Sequence, residues 1–114
     1  METTPFTLKN LSGTLLFEFN ETELNLFNID DISRLYQSIL KSYTARFEAI
    51  SFEMKRVRLI DSSAVAFLVK ALLIAKKKKK PFYLTNPSEG IRRTLEYANL
   101  LKEFEIGDPR KVET

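Results

Sequence analysis

An apolar run in the middle of the chain ends in Asp61-Ser62-Ser63, and an apolar helical pattern begins immediately afterwards, at Ala64. Asp and Ser are preferred at helix starts, because their side-chain oxygens accept hydrogen bonds from backbone N–H groups that have no partner inside the helix. The stretch therefore predicts a strand that passes directly into a helix. The partial positive charge at a helix start also favours an anion, or a phosphate on serine, at this place.

Strand-like and helix-like patterns alternate along the chain. Strands are predicted at residues 5–8, 14–19, 47–52, 82–85 and 104–106, and helices at residues 32–40, 63–77 and 89–101. Asp30 or Asp31 is expected to cap the first helix and Ser88 the third. This alternation predicts an α/β fold with a mixed, mostly parallel sheet of about four or five strands and about three or four helices packed on it.

The length of 114 residues predicts a single domain that spans residues 1–114. Its core is expected over residues 14–106, with a loop at residues 20–28 and a polar tail at residues 107–114. No signal-peptide pattern is visible at the start. The longest apolar run is interrupted by Lys70 and has about half of the roughly 20 residues that a membrane span needs. We therefore expect a cytoplasmic protein with no membrane insertion.

Residue types that catalysis and metal binding commonly use are scarce. His and Cys are both absent, which removes the commonest general base, the commonest metal ligand and all thiol chemistry. Three glycines are too few for a glycine-rich phosphate loop. The net charge of +3 gives little support to a nucleic-acid partner. We expect no catalytic residue, no metal site and no cofactor.

At Asp61-Ser62-Ser63 the chain resembles the STAS family, which includes anti-sigma factor antagonists and relatives attached to sulfate transporters. The motif of that family is a strand that ends in an acidic residue, a short connector, and Asp-Ser-Ser-Gly at the start of a helix. Glu53 stands in the place of the acidic residue, and Ala64 stands where the family usually has glycine. The likeness extends over residues 14–106 and implies a STAS-like fold.

The resemblance also implies a function. In the antagonist branch the serine directly after the aspartate is phosphorylated, which points to Ser62, with Ser63 as second choice. A non-catalytic module of this kind binds an anti-sigma factor that is a serine kinase, is released on phosphorylation, and is restored by a phosphatase. An alternative is an accessory subunit that docks on an ABC transporter ATPase or a signalling assembly without phosphorylation. From the residues alone, Asp61 and Ser62 could also be simple helix caps.

The predicted second helix has two apolar sides. One stripe should face the sheet, and it consists of Val65, Leu68, Val69 and Leu72. Phe67 and Ile74 lie on the opposite side, which Ser63 shares. We expect an exposed Phe67/Ile74 ridge there that binds a partner together with Ser63 and Lys70, or that binds a second copy in a weak homodimer. Alternatively, a neighbouring segment such as residues 20–28 covers the ridge.

Two basic segments have more than one interpretation. Five consecutive lysines, residues 76–80, end the second helix, where cations are favourable and usually solvated. Binding to anionic lipid or nucleic acid is the alternative. Lys55, Arg56 and Arg58 precede the motif and form either a solvated connector or a positive surface that a partner or a phosphate contacts.

Overall fold

Seven strands and three α-helices follow one another in residues 4–111, the part of the chain that this computed structural model describes. The strands are β1 (Phe6–Leu11), β2 (Thr14–Phe19), β3 (Glu23–Leu24), β4 (Ala49–Glu53), β5 (Leu59–Ile60), β6 (Phe82–Thr85) and β7 (Glu105–Ile106). The helices are α1 (Ile29–Ser42), α2 (Ser62–Lys77) and α3 (Glu89–Tyr97), with 3-10 turns at Leu101–Glu103 and Pro109–Lys111.

Five of the strands form one mixed sheet in the order β1-β2-β4-β6-β7. β1 and β2 form an antiparallel hairpin, and every other neighbouring pair in this sheet is parallel. Parallel neighbours need a crossover, and each crossover contains one of the three helices. The remaining strands, β3 and β5, form a separate parallel pair. The predicted α/β fold with a mixed, mostly parallel sheet is therefore confirmed.

The core lies between one face of the sheet and the helices. Phe52 is at its centre, with aromatic contacts to rings from two further strands and from two helices; its neighbours are Phe17, Phe19, Tyr36, Phe67 and Phe82. The hydroxyl of Tyr36 in α1 donates a hydrogen bond to the backbone oxygen of Ala71 in α2 at 3.1 Å. Because most of its ring is buried, the Tyr36 pKa is raised well above its ordinary value. The two helices are thus packed side by side.

The other face of the sheet carries buried polar groups near its carboxyl edge. Ser51 and Thr85 share a 2.6 Å hydrogen bond, and the hydroxyl of Thr85 also bonds to the backbone oxygen of Gly107 at 2.9 Å. The segment after β7 is therefore attached to this face. It includes the 3-10 turn at Pro109–Lys111, within what the sequence suggested was a polar tail.

Two helix boundaries differ from the predictions. α1 begins at Ile29 with Asn28 at its N-cap, whereas Asp30 and Asp31 lie in the first turn. α3 ends at Tyr97, short of the predicted Leu101, because Asn99 adopts a left-handed conformation with φ of 59°. The predicted cap of α3 is confirmed, since the Ser88 hydroxyl accepts a hydrogen bond from the backbone N–H of Ile91 at 3.2 Å.

Candidate functional site

The Asp-Ser-Ser motif lies where β5 passes into α2. β5 ends at Ile60, Asp61 caps the helix, and Ser62 is its first residue, so the predicted direct passage from strand to helix is confirmed. Asp61 Oδ1 accepts a hydrogen bond from the backbone N–H of Ala64 at 3.0 Å. Ala64 itself is fully buried in the core, so its extra methyl group packs inward.

The two serines of the motif have different environments. Ser63 is half-buried, and its hydroxyl donates a 2.6 Å hydrogen bond to Asp61 Oδ1. Ser62 is exposed, and among residues 4–111 no side-chain hydrogen bond involves its hydroxyl. The Ser62 hydroxyl is therefore accessible to an incoming molecule, whereas that of Ser63 is already engaged.

The second oxygen of Asp61 holds a neighbouring segment that sequence reasoning treated as loop. Asp61 Oδ2 accepts a hydrogen bond from the backbone N–H of Leu26 at 2.9 Å. The segment is also held internally, because the side chains of Asn25 and Asn28 accept hydrogen bonds from the backbone N–H groups of Phe27 and Asn25, both at 2.9 Å. Residues 25–28 are thus attached to the start of α2 in a defined conformation.

Exposed apolar side chains lie beside the motif on this segment and on β5. Phe27 is 92% exposed, Leu26 68% and Leu59 58%, and we call these three residues the apolar rim. The backbone N–H of Leu26 is hydrogen-bonded to Asp61, the residue that precedes Ser62. Leu59 pairs with Glu23 in the small β3–β5 sheet and comes shortly before Ser62 in the chain. Large apolar side chains left exposed beside a motif of this kind can mark an interaction site. Sequence reasoning missed this surface.

The prediction that Phe67 and Ile74 form an exposed ridge is wrong. Phe67 is only 5% exposed; its ring stacks on Phe52 and contacts Tyr36 edge-on. Ile74 is half-buried against the core. Phe67 is covered by the sheet through Phe52 of β4 and by α1 through Tyr36, so it does not lie on a side of α2 that faces away from the sheet.

Three of the four predicted interface residues nevertheless line one shallow groove between α1 and α2. The groove has a volume of about 280 Å³, and Ser63, Phe67 and Lys70 contribute to it from α2. Of these, Lys70 is exposed to solvent. The groove lies on the α1 side of the motif, and Ile29 of α1 also lines it.

Glu53 is the last residue of β4 and is buried. Its carboxylate accepts hydrogen bonds from the Asn86 side chain at 3.2 Å and from the backbone N–H of Lys55 at 3.1 Å. These contacts hold the ends of β4 and β6 together, and they do not involve the serines.

Within residues 4–111, no three carboxylates are grouped closely enough to hold a metal ion. No helix in that range is long and apolar enough to cross a membrane.

Asp61 carries the negative charge of the Asp-Ser-Ser motif. Its pKa lies below the ordinary value of aspartate, chiefly because its carboxylate accepts the hydrogen bond from the Ser63 hydroxyl, and also through the backbone N–H groups of Ala64 and Leu26. A carboxylate with a lowered folded-state pKa stabilises the fold at neutral pH, and this contribution disappears as the pH falls through the folded-state pKa.

We expect Asp61→Ala to lower the free energy of unfolding by about 2 kcal/mol, because it removes a helix cap and the bond that holds residues 25–28. Chemical denaturation at neutral pH measures this loss. Asp61→Asn is the matched control that retains an acceptor without the charge. The advantage of the natural protein over Asp61→Asn should be full at neutral pH and shrink as the pH falls below the ordinary pKa of aspartate and through the lower pKa of the folded state. An advantage that stays constant over that range contradicts the electrostatic part of the prediction.

Comparisons with known proteins agree with this geometry. The family model described as the STAS domain matches residues 6–111. A search of curated proteins finds no match. Among solved structures, an anti-sigma-factor antagonist (STAS) domain protein from Planctomyces limnophilus superposes with a TM-score of 0.78, at 12% identity over 96% of this chain and 95% of that one.

Two further solved structures are similar. One is the Bacillus cell fate determinant SpoIIAA in its phosphorylated form, with a TM-score of 0.67 and 17% identity over 93% of this chain and 94% of that one. The other is a sulfate transporter family protein from Wolinella succinogenes, with a TM-score of 0.71 and 15% identity over 84% of this chain and 77% of that one. At these identities the likeness shows a shared fold.

Proposed function

The chain belongs to the STAS domain family, and from this premise we propose that it is a non-catalytic, cytoplasmic regulatory module that binds a kinase-type anti-sigma factor and is switched at Ser62. The observation that carries the proposal is the exposed, unengaged hydroxyl of Ser62 at the first position of α2, beside the engaged hydroxyl of Ser63. The likeness to SpoIIAA, a protein solved in a phosphorylated form, supports it.

The local electrostatics determine what a phosphate on Ser62 does. Backbone N–H groups at the start of α2 favour an anion, but the Asp61 carboxylate already accepts from Ala64 and would repel the phosphate. The phosphate therefore projects outward, away from Asp61. Its charge of about −2 then appears on the docking surface, so the main effect falls on the partner and not on the fold.

The apolar rim is the docking surface that best fits this switch. Leu26, Phe27 and Leu59 offer apolar area for burial against a partner, and Leu26 is bonded to the residue that precedes Ser62. Burying this area around Ser62 desolvates its surroundings, which makes a charge placed there costly. In this arrangement the unmodified form binds and the phosphorylated form is released, and a phosphatase restores binding. Lys70 and Ser63 line the separate groove between α1 and α2.

The proposal is tested by affinity capture from the source organism, with the natural protein and Ser62→Glu as baits. We expect the natural protein to recover a kinase-type anti-sigma factor, and Ser62→Glu to lose it by about tenfold or more, because a like charge or an unpaired charge in an interface costs several kcal/mol. Ser62→Ala is the matched control and should retain binding. A kinase captured equally by natural protein and Ser62→Glu contradicts the switch.

The alternative function is an accessory subunit that docks on an ABC transporter ATPase or a signalling assembly without phosphorylation, and the likeness to a sulfate transporter family protein favours association with a transporter. In that case the same capture recovers a transporter ATPase, and the Ser62→Glu bait binds it as well as the natural protein does. Recovery of that ATPase in place of a kinase overturns the proposed anti-sigma function.

A further inference from the structure

The five lysines at residues 76–80 form the most strongly charged surface of the described chain, at the opposite end of α2 from Ser62. Lys76, Lys77, Lys78 and Lys79 are exposed, and no ion pair within residues 4–111 includes any of them. The 16 residues of α2 span about 24 Å, which separates this surface from Ser62.

Further basic side chains lie at the same end of the molecule. Tyr36 of α1 contacts Ala71 of α2, and the two helices start side by side, since Ile29 and Ser63 line one groove. Lys41 comes five residues after Tyr36 in α1, and Lys76 comes five residues after Ala71 in α2. Lys41 and Lys76 therefore lie at the same end of the helix pair.

The other end of the helices carries charges of both signs. Asp30 and Asp31 lie in the first turn of α1, Asp61 caps α2, and Glu89 lies in the first turn of α3. Lys55, Arg56 and Arg58 precede Asp61 and are exposed, so charges of both signs lie at this end, whereas the lysine run at the other end carries one sign only. A charge distribution of this kind orients a protein in front of an anionic surface.

Helix stabilisation and side-chain packing account for only part of the lysine run. Lys76 and Lys77 lie in the last turn of α2, where cations stabilise a helix. Lys80 is held by Phe47, because its ammonium donates to the Phe47 backbone oxygen at 2.8 Å and lies 5.1 Å from the ring centre. Lys78 and Lys79 follow the helix and have neither role.

Lys79 also has a backbone conformation that is unfavourable for lysine. Its φ is 59°, in the left-handed region where glycine or asparagine usually ends a helix. The other non-glycine residues with positive φ in the described chain are Ser12, Asn86 and Asn99, which are short and polar. A lysine at such a position costs some folding stability relative to glycine.

We propose that the exposed lysines at residues 76–79 bind the surface of an anionic phospholipid bilayer. All are lysines, whose compact ammonium groups respond to diffuse negative charge, whereas arginine is the residue that fits a defined carboxylate or phosphate pair. Clusters of this size are typical of peripheral binding to phosphatidylserine-rich membranes.

Neighbouring residues favour a membrane over a nucleic acid. Leu73 precedes Lys76 and Lys77 by one helical turn and is exposed, so an apolar side chain lies beside the charges. The run itself contains no aromatic residue on which bases could stack. Binding at this end leaves Ser62 and the apolar rim facing away from the bilayer, where a soluble partner can reach them.

The test is co-sedimentation of the full chain with vesicles of phosphatidylcholine alone and of phosphatidylcholine with about 30% phosphatidylserine. We expect binding to the anionic vesicles only, and its loss at about 0.5 M salt, where the Debye length is only about 4 Å. The same chain is also titrated with a short double-stranded DNA.

The substitution Lys76→Gln, Lys77→Gln, Lys78→Gln and Lys79→Gln in one variant is expected to weaken binding by several hundredfold, at about fivefold for each lysine. The matched control replaces Lys55, Arg56, Arg58 and Arg92 by glutamine, which removes the same amount of positive charge from the other part of the molecule. The control should retain most of its binding. Circular dichroism checks that both variants are folded.

Three results overturn the proposal. One is the absence of binding by the natural chain to anionic vesicles at low salt, which needs no variant to interpret. Another is an equal loss in the two variants, which shows an effect of net charge alone. The third is tighter binding to the DNA than to the vesicles. None of these results bears on kinase binding at Ser62, which lies at the other end of α2.

Discussion

Ser62→Ala is expected to abolish phosphate incorporation by the proposed partner kinase, whereas Ser63→Ala is expected to leave it intact. The two hydroxyls are on adjacent residues, but only that of Ser62 is exposed and unengaged. A kinase must approach the acceptor oxygen from solvent, and the Ser63 oxygen is directed to Asp61 at 2.6 Å. Incubation with ATP, followed by intact-mass measurement, reads out the modification directly.

The stability of the two variants provides the control for this experiment. Ser62→Ala removes an exposed hydroxyl and should change the free energy of unfolding by no more than about 0.5 kcal/mol. Ser63→Ala removes a hydrogen bond to a carboxylate and should cost about 1.5 kcal/mol. A Ser63→Ala protein that is folded but no longer modified, together with a modified Ser62→Ala protein, would reverse the assignment of the phosphoacceptor.

The strands and helices whose bounds follow from local chemistry could be predicted from the sequence. β2 and β6 have the predicted bounds, because both are short apolar runs between turn residues. Gly13 precedes β2 with a φ of 91°, a conformation that glycine adopts without strain, and Asn86 follows β6 with a φ of 53°. The passage from Asp61 to α2 belongs to the same class, since the cap and the helical pattern are adjacent in the chain.

Features that depend on distant contacts could not be predicted. β3 has two residues, too few for any alternation, and it exists because Glu23 pairs with Leu59. The conformation of residues 25–28 depends on the bond from Leu26 to Asp61, which joins residues 35 positions apart. In the sequence, Leu26 and Phe27 look like ordinary core residues, so their exposure is visible only once this tether is known.

The position of Phe67 shows a different limit. Helical periodicity tells which residues of α2 share a side, but it does not tell which sides are covered. α2 is apolar around most of its circumference, a pattern typical of a helix that is buried on more than one side. The sheet covers one side and α1 covers another, so the residue predicted to bind a partner belongs to the core.

The proposed position of the interface leads to opposite expectations for two phenylalanines. Phe27→Asp should weaken partner binding by at least about thirtyfold. An exposed aromatic side chain that lies at the centre of an interface commonly contributes about 2 kcal/mol or more to binding, and about 2 kcal/mol corresponds to that factor. It should leave the free energy of unfolding within about 0.5 kcal/mol of the natural protein. Isothermal titration with the captured partner measures the first quantity, and chemical denaturation measures the second.

Phe67→Asp should instead unfold the domain. The substitution places a charge among Phe52 and Tyr36 and removes a ring that fills the core, with a combined cost above about 5 kcal/mol. This loss is comparable to the whole stability of a domain of this size, which is of the order of 5–15 kcal/mol. Circular dichroism of the purified variant is sufficient to detect it.

Two further variants decide where the partner docks. Tyr97 is 86% exposed on α3, and Tyr97→Asp is therefore the matched control for placing an aspartate at an exposed aromatic position. It should bind like the natural protein.

Lys70→Glu tests the groove between α1 and α2 without disturbing the core, because Lys70 is exposed. If Lys70→Glu abolishes binding while Phe27→Asp retains it, the partner occupies that groove, and the surface predicted from the sequence is right in place although Phe67 is buried. If Phe27→Asp alone loses binding, the partner docks on the apolar rim, where a charge on Ser62 acts on it directly.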